Sequence, residues 1–99
     1  MKKILLVTAA VIMISCSTSQ KQRVELSCGQ CQFGLSTQKG CDLAIKLEGK
    51  AYFVDGAHID AFGDAHDKNT GFCEVIRSAE VSGFLLENRF QIETVQLRD

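Results

Sequence analysis

The sequence predicts a small, mainly β domain with one principal helix, placed behind an N-terminal export segment. Three observations carry this reading. Short runs in which apolar and polar residues alternate fill most of the chain after residue 22, and that period of two belongs to half-buried strands. The runs are separated by two-residue steps such as Glu48-Gly49 and Glu87-Asn88, which are of a length that closes hairpins. One stretch departs from the period: Phe72, Val75, Ile76 and Ala79 recur at i, i+3, i+4 and i+7, the stripe of a helix laid on a core.

In chain order, Lys2 and Lys3 precede an apolar run over 4–14 that is interrupted only by Thr8. This is the pattern of a signal peptide, and it is too short to span a bilayer. It ends in Met13-Ile14-Ser15-Cys16, a string that resembles the lipobox of bacterial lipoproteins. The resemblance implies a signal peptide over 1–15 and lipidation of Cys16. A polar tether over 16–22 follows, and then one domain over 23–99.

Val24 and Leu26 form a first strand that leads into Cys28-Gly29-Gln30-Cys31, and 34–40 reads as a loop. Leu43, Ile45 and Leu47 share one face of a second strand, and Glu48-Gly49 turns the chain into a third over 51–54. Residues 57–71 are polar and irregular. The helix is expected over 72–79 with Asn69 or Thr70 as its N-cap, and strands over 80–86 and 89–97 close the chain. In the last strand Phe90 and Ile92 lie on one face and Val95 and Leu97 on the other, a change of phase that predicts a bulge or bend. The order β-β-β-α-β-β is that of a small OB-like five-stranded barrel. Phe72, Val75, Ile76, Leu43, Ile45, Phe53 and Val81 are expected to be buried together.

The chain has 99 residues and a formal charge of −1; loss of the first fifteen leaves 84 residues and, without Lys2 and Lys3, a charge of −3. That length suits one domain with a modest core. The acidic balance argues against a nucleic-acid partner and against an electrostatic grip on anionic lipid. The expected partner is instead the lipid bilayer, held through acyl chains on Cys16. The expected location is the cell envelope, with the domain facing the periplasm or the exterior.

Four of the five cysteines remain after lipidation: Cys28, Cys31, Cys41 and Cys73. Three readings of them stay open. In the first they bind a transition metal, zinc or copper, because two thiolates separated by two residues face one ion from a tight turn. Cys41 and Cys73 would complete the site, with His58 and His66 as further candidate ligands and Asp60 and Asp64 placed to orient an imidazole. The spacings after Cys31 match no standard zinc signature, so the fold has to assemble such a site. In the second, an even number of cysteines in a short exported domain forms structural disulfides, and the protein is a non-catalytic binding or envelope-structural module. In the third, Cys28 and Cys31 act as a thiol oxidoreductase pair. Against this, the chain has no proline to stand opposite the motif, and no helix is expected after Cys31. No nucleophilic serine motif or phosphate loop is present, so no catalytic residue is assigned and a non-enzymatic role is favoured. The four cysteines are expected to meet on one rim of the barrel.

The strings Cys28-Gly29-Gln30-Cys31-Gln32-Phe33, Gly40-Cys41-Asp42-Leu43-Ala44, Tyr52-Phe53-Val54-Asp55-Gly56, Gly63-Asp64-Ala65-His66, Gly71-Phe72-Cys73 and Ala79-Glu80-Val81-Ser82-Gly83 resemble DUF6370, a family of small secreted bacterial proteins of unknown function. The resemblance covers nearly all of 28–97. It implies that the cysteines and the Gly-Asp-Ala-His segment belong to one design, and it implies no activity.

Overall fold

Alternating sequence closes here into a barrel. The computed structural model describes residues 20–98, so the expected signal peptide, Cys16 and most of the tether lie outside the described residues. Five strands form: β1 (Gln22–Cys28), β2 (Leu43–Leu47), β3 (Lys50–Asp55), β4 (Arg77–Leu86) and β5 (Arg89–Leu97). They close in the order β1-β2-β3-β5-β4, with β4 returning to β1. Every pairing is antiparallel except β3 with β5, which is parallel. This is the expected small OB-like barrel. Gln22, assigned to the tether from sequence, already lies opposite Val81 as the first residue of β1.

Both tight hairpins are dictated locally. Glu48 and Gly49 have φ of 48° and 85°, and Glu87 and Asn88 have φ of 52° and 66°. Left-handed backbone at both central positions gives turns whose twist matches that of the flanking strands. The expected irregularity in the last strand is also present. Ser82 lies opposite Thr94 but Gly83 lies opposite Ile92, so β5 carries one more residue, Glu93, across that step. The extra residue resets the phase: Phe90 and Ile92 are buried, and Val95 and Leu97 still pack against the core.

The helix is not where the stripe predicted it. Residues 72–74 form a turn and Arg77 already starts β4. Val75 is only half-buried and Ile76 is 42% exposed, while Phe72 and Ala79 are buried from a turn and a strand respectively. Two forces override the helical spacing. The buried Ser27 hydroxyl lies 2.7 Å from the carbonyl oxygens of both Phe72 and Val75, which ties this segment to β1. The β1 ladder then claims 77–81 residue by residue, from Leu26 opposite Arg77 to Gln22 opposite Val81. Among the described residues the one α-helix is instead α1 (Gly29–Gln32), wound inside the Cys-Gly-Gln-Cys motif, and a 3-10 turn (Ile59–Phe62) lies between β3 and β4.

The core joins Val24, Leu26, Leu43, Ile45, Val54, Phe72, Ala79, Val81, Phe90 and Ile92, with Phe53 also buried. Phe72 is 1% exposed and packs edge-on to Phe62 with ring centroids 5.5 Å apart. A side chain from the turn thus fills the space that the expected helix was to cover.

Candidate metal centre

β1 delivers Cys28 to the barrel rim, where it caps α1 and its sulfur accepts the Cys31 N–H at 3.2 Å. Gly29 follows because nothing larger fits: a Cβ there would stand 2.6 Å from the Phe53 ring and 3.0 Å from Ala44. The Gly29 N–H donates to the Asp42 carbonyl at 2.8 Å, and its own carbonyl accepts from Phe33 and Leu35.

Two glutamines then fold the 33–42 loop back onto the motif. Gln30 Nε2 donates to Asp42 Oδ2 at 2.8 Å, and Gln30 Oε1 accepts the Asp42 N–H at 2.8 Å. Gln38 Nε2 donates to the same carboxylate oxygen at 2.7 Å. These bonds hold the Asp42 carboxyl below the usual carboxylate range, the Gln38 bond contributing most, and they fix Cys41 beside Cys28. A further strut reaches the loop from β5. Arg89 grips Asp55 through Nε and Nη2 at 2.9–3.1 Å and donates to Gln38 Oε1 at 2.9 Å.

Cys73 is fixed from three sides. The Cys28 N–H donates to the Phe72 carbonyl at 3.1 Å, the Cys73 N–H to Ala65 at 2.9 Å, and Gln32 Nε2 to the Cys73 carbonyl at 2.9 Å. Gly71 permits the close approach to the 65–67 loop, since a Cβ there would run into the Ala65 carbonyl and stand 2.6 Å from the Asp67 nitrogen.

The result is one cluster. Cys28 Sγ lies 2.8 Å from Cys31 Sγ and 3.4 Å from Cys41 Sγ; Cys31 and Cys41 are 3.3 Å apart, and Cys41 and Cys73 3.0 Å. All four sulfurs lie within 4.8 Å of one another. All four cysteines are free; their separations exceed the ~2.05 Å of a disulfide, so the pairing of the second reading is not formed among the described residues. Tetrahedral ligation with bonds of ~2.3 Å separates sulfurs by roughly 3.8 Å, between the 2.8–3.4 Å of the adjacent pairs and the 4.8 Å that bounds all four. Cys28 is buried, Cys41 and Cys73 half-buried and Cys31 exposed.

The electrostatics follow from crowding. Hydrogen bonds from Cys73, then Cys31, lower the Cys41 thiol below its ordinary value. Cys73 is pushed up to about 12, first by burial and then by its bond to Cys41. Cys31 is raised further still: although the residue is exposed, its sulfur faces the other three, so desolvation leads and the bond to Cys28 follows. The crowding thus favours charge on Cys41 and opposes it on Cys31 and Cys73, and a cation among the four sulfurs would offset the charge of several thiolates.

The histidines do not join this cluster. His58 Nδ1 accepts the Asp60 N–H at 3.1 Å and caps the 3-10 turn, with the ring 73% exposed. His66 Nδ1 stands 3.9 Å from Asp64 Oδ1, and that side chain is 77% exposed. Sequence reasoning missed Gln30, Gln32, Gln38 and Asp42 as the groups that hold the cysteines. Their one signal was position, each within a few residues of a cysteine.

Residues 22–98 match the family of unknown function DUF6370. The chain belongs to the DUF6370 family. That match contains all five strands and all four clustered cysteines, and Cys16 precedes it. No curated protein and no solved structure matches the chain.

Proposed function

We propose that this DUF6370 protein is a lipid-anchored component of the bacterial cell envelope whose barrel binds one transition-metal ion, zinc or copper, through Cys28, Cys31, Cys41 and Cys73. The observation that carries the metal reading is the convergence of four sulfurs within 4.8 Å from three separate segments of the chain. Thiolates are soft ligands that select zinc or copper(I) over magnesium, calcium or manganese. A set of four protein ligands leaves no open position for a reacting water, which suits a structural or metal-holding site better than a hydrolytic one. The Cys31 N–H directed at Cys28 Sγ and the glutamine struts behind Cys41 and Cys73 are the outer contacts that orient such ligands.

The test combines elemental analysis with free-thiol counting on the full chain purified from bacterial membranes. One zinc or copper per chain is expected, with four thiols masked until a chelator is added. Cobalt(II) in the same site should give intense near-ultraviolet thiolate bands that Cys41→Ser weakens. Metal-free protein with four thiols reacting at once would overturn the metal reading. Reversible oxidation of Cys28 and Cys31 alone would return the pair to thiol redox chemistry.

The anchor rests on Met13-Ile14-Ser15-Cys16 directly after the apolar run over 4–14. In that reading Cys16 carries the acyl chains and the barrel faces the periplasm or the exterior. Cys16→Ala should leave the protein soluble or unprocessed; normal membrane partitioning of that variant with an unshifted mass counts against it.

A further inference from the structure

The longest exposed apolar segment of the barrel lies on β4. Phe84, Leu85 and Leu86 are consecutive and 49%, 46% and 53% exposed. They form the outer part of the β4–β5 hairpin, opposite Gln91, Phe90 and Arg89. The β1 ladder ends with Gln22 opposite Val81, so among the described residues 82–86 pair with β5 alone. Strand edges of this kind are normally shortened, charged or covered, and an apolar stretch left open marks a contact surface.

The path of the chain indicates what covers it. β1 runs antiparallel to β4, so the N-terminal end of β1 faces the direction in which β4 advances from Val81 to Leu86. Phe84 stands three residues beyond Val81, roughly 10 Å at the rise of a strand. Cys16 is six residues before Gln22, so a fully extended tether reaches at most ~20 Å. An acylated Cys16 therefore keeps the bilayer within reach of this hairpin. Phe and Leu are residues that enter the headgroup–acyl boundary. The nearby cation Arg89 is engaged by Asp55, and the chain without residues 1–15 carries −3. Contact is thus apolar rather than electrostatic.

We infer that Phe84, Leu85 and Leu86 dock the barrel on the surface of the lipid bilayer beside its own anchor. This rests on the lipid-anchor part of the proposed function and is independent of the metal.

The chain contains no tryptophan, so a single introduced one reports its own surroundings. Full chains carrying Leu86→Trp or Glu74→Trp would be produced with the native export segment and checked for acylation by intact mass. Both would then be reconstituted in phosphatidylcholine vesicles with and without brominated acyl chains. Glu74 precedes the start of β4, roughly 40 Å of extended chain from Leu86, and is the control. Emission from L86W should be blue-shifted and fall at least twofold in brominated vesicles, independently of salt, while E74W is unchanged. Adding Phe84→Ser to L86W should relieve the quenching. Acylated protein that pellets with vesicles yet shows no quenching of L86W, or equal quenching of both, overturns the docking. So does a blue shift that tracks protein concentration without bromolipid quenching, which would assign the hairpin to a second copy of the chain. An unshifted mass at Cys16 removes the anchor and the docking together and leaves the metal reading untouched.

Discussion

Gly29 and Ser27 show how little freedom single positions have beside the cysteines. A methyl group at Gly29 must displace the Phe53 ring or Ala44, both inside the barrel wall. Gly29→Ala should destabilise by about 1–3 kcal/mol, the usual range for overpacking, and denaturant unfolding measures it. Ser27 is fully buried and its single hydroxyl proton lies within reach of two carbonyls of the 72–75 segment, of which Phe72 also accepts the Cys28 N–H. Its loss leaves the Val75 carbonyl without that donor, so Ser27→Ala should lower stability by about 1–3 kcal/mol. It should also loosen Cys73, which a faster thiol reaction of that residue in metal-free protein would report. Gln30 touches no ion in the proposed site, yet it bridges Asp42 on both its amide atoms. By analogy with other outer-shell contacts, Gln30→Ala should weaken metal affinity about 10–100-fold with the ultraviolet thiolate bands retained. Unchanged affinity in competition with a chromophoric chelator would show that the loop is held without it.

At the scale of elements, the barrel is closed across β3 and β5 by only two opposed pairs, Val54 with Phe90 and Asp55 with Gln91. The Asp55–Arg89 contact sits on that seam, with Gln91 donating to the same carboxylate at 2.9 Å. Arg89, then Gln91, holds the Asp55 carboxyl below its ordinary value. A depressed folded value adds stability above the unfolded carboxylate pKa, near 4; that stability is lost as pH falls through the folded value. Both side chains are more than a third exposed, so solvent screening limits the effect to under about 1 kcal/mol. Asp55→Asn should therefore lower stability at pH 7 and narrow its gap to the wild type below about pH 4. An equal gap at both pH values in urea titrations would remove the ionic role.

For the whole molecule, the cysteine cluster joins three segments that the strands themselves leave separate: the end of β1, the 33–42 loop and the turn before β4. Metal removal should act on these segments first. Chelation is expected to lower Tm and to raise amide exchange over 29–42 and 71–76, while the core of the β1–β4 ladder stays protected, because the barrel core is built without the cysteines other than Cys28. Uniform loss of protection across all strands would mean instead that the barrel folds only with a metal bound.

What sequence alone determined was most of what has a local cause. Strands over Val24–Leu26 and Leu43–Leu47 were legible because alternation marks a face, and the hairpins at Glu48-Gly49 and Glu87-Asn88 because two residues suffice to make the turn. The bulge near Glu93 was legible as a change of phase, and the meeting of the four cysteines was expected with Cys73 in a helix, whereas the turn before β4 is what brings it there. Tertiary structure decided the rest. The stripe at Phe72, Val75, Ile76 and Ala79 had the spacing of a helix, but the β1 ladder and the Ser27 hydroxyl offered that backbone better partners than its own turns. A helix formed instead at Gly29–Gln32, four residues with no period long enough to read, because Cys28 caps it and the Phe53 wall excludes a side chain. His58 and His66 shared the composition of a metal site with the cysteines, yet loop geometry turned both to solvent. Gln30, Gln32 and Gln38 carry no chemical signature at all: an amide becomes a strut only when folding sets a carboxylate or a carbonyl within 3 Å of it.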